Sequence, residues 1–435
     1  MARLLAEPAS EGGTAAAAAS ILDSRYSWGR LFVTWCIGVL GNAGMWSFVA
    51  IMPAVQVEME TDRAGVSVPY TLTMLGFALG SFAFGKAMDR FGVGKVLIGA
   101  ALLIGAGFLI GTFATSLALL SLTQFAVGLG TAVSFAPLVA DISHFFDKRR
   151  GIAVAVAASG NYCAGALWPL VLAGTLEDHG WRTVHRVLAV IVAGGIPPLT
   201  LLLRRQIPAE DKAKADTASS ANAGSLQLSP TALTWLLSAA SVSCCMAMSM
   251  PQVHLVSLCV DFGFGAAAGS RMLSALLVGG VISRLVSGMV ADALGGVKTL
   301  LIGSSLQCLG LVLFVVYITY FEHTETPLYF VSLTFGLSQG GIIPSYAIVV
   351  REFMPAADAG ARVGFVIGAS IVGMAMGGLA AGWIFSLAGS YLWAFLHAIG
   401  WNVVNIAIMS GLVLCRRRAK GAGAAVAAPD VEAKP

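Results

Sequence analysis

Charge is what this chain has least of. Only 11% of its 435 residues are Asp, Glu, Lys or Arg, where a soluble domain carries about 25%. Most of the exterior must therefore meet something other than water. A net charge of +4 is too small for nucleic-acid recognition, and the basic residues do not gather on one amphipathic face. The seven cysteines (Cys36, Cys163, Cys244, Cys245, Cys259, Cys308, Cys415) sit almost wholly inside apolar runs without metal-ligand spacing. They read as small hydrophobes at helix contacts. No nucleophile–base pair and no phosphate-cradling glycine loop stands out, so an enzyme is not expected and no cofactor is implied. A cleavable signal is also missing: residues 1–29 are small and polar, and the first apolar run is too long for a signal core.

What the chain does have is apolar length. Hydrophobic residues make up 57% of it, and the mean hydropathy is +0.83. A helix needs about 20 apolar residues to cross the hydrocarbon of a bilayer. Runs between charge clusters give twelve such segments: 31–55, 67–86, 95–114, 116–142, 151–174, 185–203, 231–259, 268–291, 297–320, 326–350, 361–387 and 391–415. The 51 glycines, as in Gly76-x3-Gly80, Gly128-x-Gly130 and Gly373-x3-Gly377-Gly378, fit helices packed through small faces.

An even number of spans puts both termini on one side. That side collects 21 of the 26 lysines and arginines, among them Arg30, Lys86, Arg90, Lys95, Lys148, Arg149, Arg150, Arg204, Arg205, Lys298, Arg351 and Arg362. The other side holds only Arg63, Arg182, Arg186 and Arg271, and Arg284 lies inside a span. The positive-inside bias makes the first side cytoplasmic, which implies a bacterial inner-membrane protein with both termini in the cytoplasm.

The chain repeats itself. Gly85, Asp89, Gly92 and Lys95 form Gly-x3-Asp-x2-Gly-x2-Lys, and Gly288, Asp292, Gly295 and Lys298 repeat it with every position 203 residues on. Each copy follows a long apolar run. Two homologous bundles result, the architecture of secondary transporters, in which substrate binds between the halves. The expected organisation is an N-terminal tail over 1–29, a six-helix bundle over 30–205, a polar Ser- and Ala-rich linker over 206–230, a second six-helix bundle over 231–415 and a disordered tail over 416–435. The fold class is an all-α membrane protein of twelve transmembrane helices in two pseudo-symmetric bundles.

The loop from Gly85 to Lys95 resembles the signature between the second and third helices of the major facilitator superfamily, and 288–298 matches its weaker counterpart between helices eight and nine. The resemblance covers roughly 28–418. Within the superfamily the chain looks most like the monocarboxylate porter and oxalate–formate exchanger branch. The segments that carry this are Lys148-Arg149-Arg150-Gly151, His254-Leu255-Val256, Ser283-Arg284-Leu285-Val286-Ser287-Gly288 and Gly340-Gly341-Ile342-Ile343-Pro344. Two departures narrow what transfers. The acidic motif of the animal members is reduced here to Tyr26-Ser27-Trp28-Gly29, and span eleven lacks the exchanger's lysine. A proton-coupled drug exporter of the same fold competes with this reading. It is disfavoured by Gln124 where such exporters have arginine and by Trp168-Pro169 in place of Gly-Pro.

Arg284 is the sharpest candidate for substrate binding. It lies eight residues before Asp292, on the order of 12 Å from the cytoplasmic helix end at 1.5 Å per residue. An arginine so deep costs roughly 2.5 kcal/mol or more unless it faces water or a partner. No acidic residue occupies the mid-depth of any span, so a carboxylate substrate, held bidentately, is the natural counter-charge. The alternative is bonding to backbone carbonyls or snorkelling. His254, about 10 Å from the outer face by the same rise, either carries a coupled proton or packs between helices. Pro251 is expected to kink span seven, and Gln252 points elsewhere on the helix than His254. Asn42, Trp46, Ser134, Asn161, Tyr162, Gln339 and Tyr346 are further polar or aromatic residues at mid-depth. The resemblance, which places spans one, four, seven and ten around the cavity, favours Trp46, Ser134, Gln339 and Tyr346.

Gly85, Asp89, Arg90, Gly92, Asp292 and Arg362 read as a cytoplasmic gate. A carboxylate there caps a neighbouring helix start, and the resemblance implies that Asp89 docks near Arg362. The partners implied are a small carboxylate, a coupled proton and the lipid bilayer, with no nucleic acid and a monomeric state. A non-transporting membrane sensor of the same fold is the remaining alternative.

Overall fold

The computed structural model describes residues 21–146, 149–203, 228–321, 324–354 and 356–426, and every regular element among them is helical. In chain order the helices are α1 (Arg25–Gly41), α2 (Ala43–Glu58), α3 (Arg63–Phe91), α4 (Val93–Gly111), α5 (Leu117–Thr131), α6 (Ala136–Ser143) and α7 (Arg150–Thr200). They continue with α8 (Pro230–Asp261), α9 (Gly265–Leu294), α10 (Gly296–Tyr320), α11 (Glu325–Gln339), α12 (Ile342–Phe353), α13 (Ala356–Ala388) and α14 (Tyr391–Val426). Ten segments are long and apolar enough to cross a membrane. The longest, over 151–203, turns at Gly180, whose φ of 74° and ψ of 171° suit a residue without Cβ.

Three of the predicted spans are broken part-way. Span one divides at Asn42 into α1 and α2, span four passes through a 3-10 turn at Ala132–Ser134, and span ten divides at Gly340 and Gly341. Span seven, where Pro251 predicts a kink, is a single helix, α8, that continues without interruption through the proline.

The duplication is visible in the backbone. Gly92 has φ 83° and ψ 153°, and Gly295 has φ 83° and ψ 157°. Each glycine closes one helix, through Gly92 N to Met88 O and Gly295 N to Ala291 O, and the next helix begins at the following residue. This backbone region is almost closed to other residues, which explains why the repeat keeps glycine at that position.

Within the N-terminal half, α3 packs on α5, α4 on α5 and α7, and α1 on α7; within the C-terminal half, α8 packs on α13, α9 on α11, and α10 on α14. The halves meet along α3 against α13, α9 against α7, and α2 against α8. Close approach requires small residues here. A Cβ on Gly378 of α13 would lie 2.7 Å from the Tyr70 ring of α3.

The face bearing the basic helix ends is stitched within each half. Arg30 donates to Asp141 at 2.7 Å and to the Leu203 carbonyl at 2.8 Å. Arg416 donates to Glu352 at 3.0 Å, and Glu352 in turn accepts from the Gly296 amide at 3.1 Å, capping the start of α10. At the opposite face the halves are joined to each other. Nη2 of Arg63 on α3 donates to both carboxylate oxygens of Asp261 of α8 at 2.6 and 2.9 Å, the guanidinium lies 5.1 Å from the Phe385 ring, and the Ala64 amide donates to Ser386 at 3.0 Å. These contacts tie the two halves together at that face.

Two expected boundaries shift. The 1–29 tail is ordered from Ile21: Ser24 caps α1, the Ser27 hydroxyl donates to the Ile21 carbonyl at 2.6 Å, and Ile21 is buried in a cluster with Phe145 and Phe146. α14 runs on to Val426, past the span end at 415 and into the segment expected to be unstructured; alanine-rich sequence favours helix. The linker over 206–230 lies outside the described residues apart from its last three, where Ser229 caps α8.

Candidate functional site

Arg284 projects from α9 into the boundary between the halves and is 2% exposed. Its Nε donates to the Gly340 carbonyl of its own half at 3.0 Å, and its Nη1 donates to the Ala158 carbonyl of α7, in the other half, at 2.5 Å. The guanidinium carbon lies 4.2 Å from the centroid of the Tyr162 ring, also on α7. Among the described residues no carboxylate lies within ion-pairing distance of it. Backbone carbonyls therefore hold it, and both halves contribute one.

The local sequence makes room for this arrangement. Gly280 lies one turn before Arg284 on α9, and a Cβ there would stand 2.7 Å from the Tyr162 ring. Gly165 on α7 does the same for Trp46 of α2, again at 2.7 Å. Trp46 and Tyr162 meet edge-to-face at 6.3 Å between centroids. The Gln252 amide of α8 neighbours the Tyr162 hydroxyl without hydrogen bonding to it. Three side chains, from α2, α8 and α9, thus surround one tyrosine. Trp46 is 1% exposed with its Nε1 unpartnered, and Gln252 is fully buried with both amide atoms unpartnered.

The other predicted residues sit elsewhere. His254, two positions beyond Gln252, has both ring nitrogens engaged inside the C-terminal half: Nε2 donates to the Gly378 carbonyl at 2.8 Å and Nδ1 accepts from the Tyr391 hydroxyl at 3.0 Å. Asn42 donates to the Gly38 carbonyl at 2.7 Å and the Ser134 carbonyl at 3.3 Å, and its Oδ1 accepts from Asn161 at 2.7 Å. Asn42, Ser134 and Asn161 thereby pin the break in span one to spans four and five. Tyr346 donates to Asn405 at 2.9 Å, and Asn405 donates to Ser304 at 2.7 Å, an internal tie of the C-terminal half. Gln339, fully buried, keeps both amide atoms unpartnered next to the Gly340 carbonyl that Arg284 uses.

Of the predicted gate, the side chains of Gly85, Asp89 and Asp292 lie outside the described residues. Arg90 is exposed, and Arg362 donates to Thr234 of α8 at 2.9 Å. The helix-capping carboxylate at this face that is described is Glu352, which the sequence reading did not single out. The reading also missed the Arg63–Asp261 pair, although Arg63 was counted among the charges of that face. Their opposite signs at the ends of spans two and seven were the available signal.

Known proteins share this pattern. The family model described as Major Facilitator Superfamily matches residues 34–315 and 237–434. The chain belongs to the major facilitator superfamily. An MFS-type transporter of Bacillus subtilis, YcxA, is 25% identical over 375 residues, which cover 85% of this chain and 90% of that protein. Monocarboxylate transporter 13 of Rattus norvegicus is 25% identical over 372 residues, 83% of this chain and 82% of its own. Monocarboxylate transporter 11 of Homo sapiens is 30% identical over 302 residues, 68% of this chain and 63% of its own. This superfamily member is accordingly a multi-pass membrane transporter related to the monocarboxylate branch.

Proposed function

We propose that this transporter carries a small carboxylate across a bacterial inner membrane by alternating access of its two bundles, with a proton or a counter-anion balancing charge. Twelve spans and cytoplasmic termini complete the reading: Gly180 divides the longest apolar segment in two, and α3 supplies a 29-residue helix beside the ten apolar segments. The protein acts as a monomer. The single observation that carries the proposal is Arg284, a buried cation between the halves with no carboxylate of its own among the described residues.

A carboxylate entering from the basic face would compete with the Ala158 carbonyl for Nη1 and engage Nη2 as well, giving the two-pronged geometry that guanidinium favours. A charge-assisted pair would replace one bond to a neutral carbonyl, and one contact between the bundles would loosen at the same moment. Binding energy would thus act on the conformational equilibrium, as a driven switch requires.

The test is uptake of radiolabelled propionate and L-lactate into proteoliposomes, with Arg284→Gln and Arg284→Lys beside the parent protein. Both variants should lose uptake by at least tenfold while keeping a monodisperse elution profile. Lysine keeps the charge but not the fork. Undiminished uptake by Arg284→Gln would remove the anchor.

A further inference from the structure

Burying a donor or acceptor without a partner costs about 1–3 kcal/mol, and folded proteins retain few such groups. Three of them, Trp46 Nε1, Gln252 Nε2 and Gln252 Oε1, flank the same tyrosine that carries the Arg284 guanidinium on its face. They come from α2 and α8, one from each bundle, and neither residue serves the fold through its polar atoms. Asn42, four residues before Trp46, and His254, two residues after Gln252, are by contrast bonded at every atom that can bond. Beside Tyr162 the orphaned atoms are those of Trp46 and Gln252.

We propose that Trp46 and Gln252 form a second recognition point for the substrate and select carboxylates that also bear a hydroxyl group. The inference rests on Arg284 holding the carboxylate and adds what the rest of the molecule must offer. The chemistry of the orphaned set is specific. An indole N–H only donates, and a carboxamide both donates and accepts. A hydroxyl can accept from Trp46 Nε1 or Gln252 Nε2 and donate to Gln252 Oε1, so it satisfies both kinds of group at once. A second carboxylate would leave Gln252 Oε1 facing another acceptor, and a methyl group would leave all three atoms unsatisfied.

The experiment compares matched substrate pairs in proteoliposomes: 4-hydroxybenzoate with benzoate, and 4-hydroxybutyrate with butyrate, for the parent, Gln252→Leu, Trp46→Phe and Arg284→Gln proteins. One hydrogen bond of about 0.5–1.5 kcal/mol corresponds to roughly a 2- to 12-fold preference. The parent should favour the hydroxylated member of at least one pair within that range or above it. In Gln252→Leu the preference should fall to about unity while uptake of the unsubstituted acid is retained, which also shows that the variant is folded. Trp46→Phe should reduce the preference part-way. An equal preference in the parent and both variants overturns this inference but leaves the carboxylate reading intact, provided that Arg284→Gln still abolishes uptake. Uptake insensitive to Arg284→Gln, or no uptake of any of the four acids, overturns both. Loss of both members of a pair in Gln252→Leu, with normal elution, would make Gln252 a general contact and overturn the selectivity.

Discussion

Replacing Asp261 by asparagine should open the face that the Arg63–Asp261 pair closes. Arg63 is 5% exposed, and it holds both carboxylate oxygens of Asp261, at 2.6 and 2.9 Å, across the boundary between the bundles. A hydrogen bond to a charged group contributes about 1.5–3 kcal/mol, and partial exposure of Asp261 discounts that figure. Asparagine keeps one neutral acceptor and leaves Arg63 without its counter-charge. A net loss of about 2 kcal/mol is a reasonable scale, which shifts the closed-to-open ratio by roughly 30-fold. The Ala64–Ser386 bond and the Phe385 ring remain in place, so the variant should become a mixture of states.

The measurement is electron–electron double resonance between labels at Val57 and Tyr320. Both are strongly exposed, at 80% and 77%, and lie at this face on different bundles. Exposed Cys415 and partly exposed Cys36, Cys163 and Cys308 would be replaced first. A second, longer distance should appear in Asp261→Asn and in Arg63→Gln, and the exchange Arg63→Asp with Asp261→Arg should suppress it. Identical distance distributions in all four proteins would show that the pair does not hold the face closed.

Two further outcomes follow from the backbone. Gly92→Ala and Gly295→Ala each force a Cβ onto a φ of 83°, and each should destabilise the protein by about 1–3 kcal/mol in thermal unfolding. Gly92 has open space around it and Gly295 meets only the ends of the Arg416 and Glu352 side chains, so the cost should be mainly conformational and similar at the two sites; a null effect at both would refute it. Asp62 caps α3 by accepting from the Gly65 amide at 2.7 Å, and that bond, with help from Ser386, holds its carboxyl below the usual range. Its stabilisation is therefore complete above about pH 4 and is lost as pH falls through the lowered native value. Asp62→Ala should cost about 1 kcal/mol at pH 7, and the gap from the parent should shrink on acidification; a gap constant with pH would contradict the cap.

The parts of this molecule that depend on local spacing were legible from the chain alone. The 203-residue offset predicted two like bundles, and Gly92 and Gly295 adopt the same backbone to within a few degrees. Arg284 was located as a deep cation because the apolar run around it sets its depth. Its partners were not legible. Ala158 is 126 residues away and accepts through its main chain, which no side-chain pattern announces. Gln252 was set aside because it leaves the face of His254, yet that face turns inward on Gly378 and Tyr391 while Gln252 reaches Tyr162. The direction of a face on α8 is fixed by how two bundles dock. A periodicity of 3.6 residues carries no information about docking. Pro251 was expected to kink span seven, whereas the breaks occur at Asn42 and Ala132–Ser134, joined through the Asn42 amide and the Ser134 carbonyl, and at Gly340–Gly341, where the Gly340 carbonyl accepts from Arg284.

Two bonds run from α9 to α7, Ser274 to the Ala166 carbonyl at 2.6 Å and Arg284 to the Ala158 carbonyl at 2.5 Å, about two turns apart. Both acceptors are peptide oxygens, so a point mutation on α7 cannot delete them. Selection can remove these two bonds only from the donor helix. Over generations the two α7 carbonyls stay in place, and the bonds to them come and go through changes at positions 274 and 284.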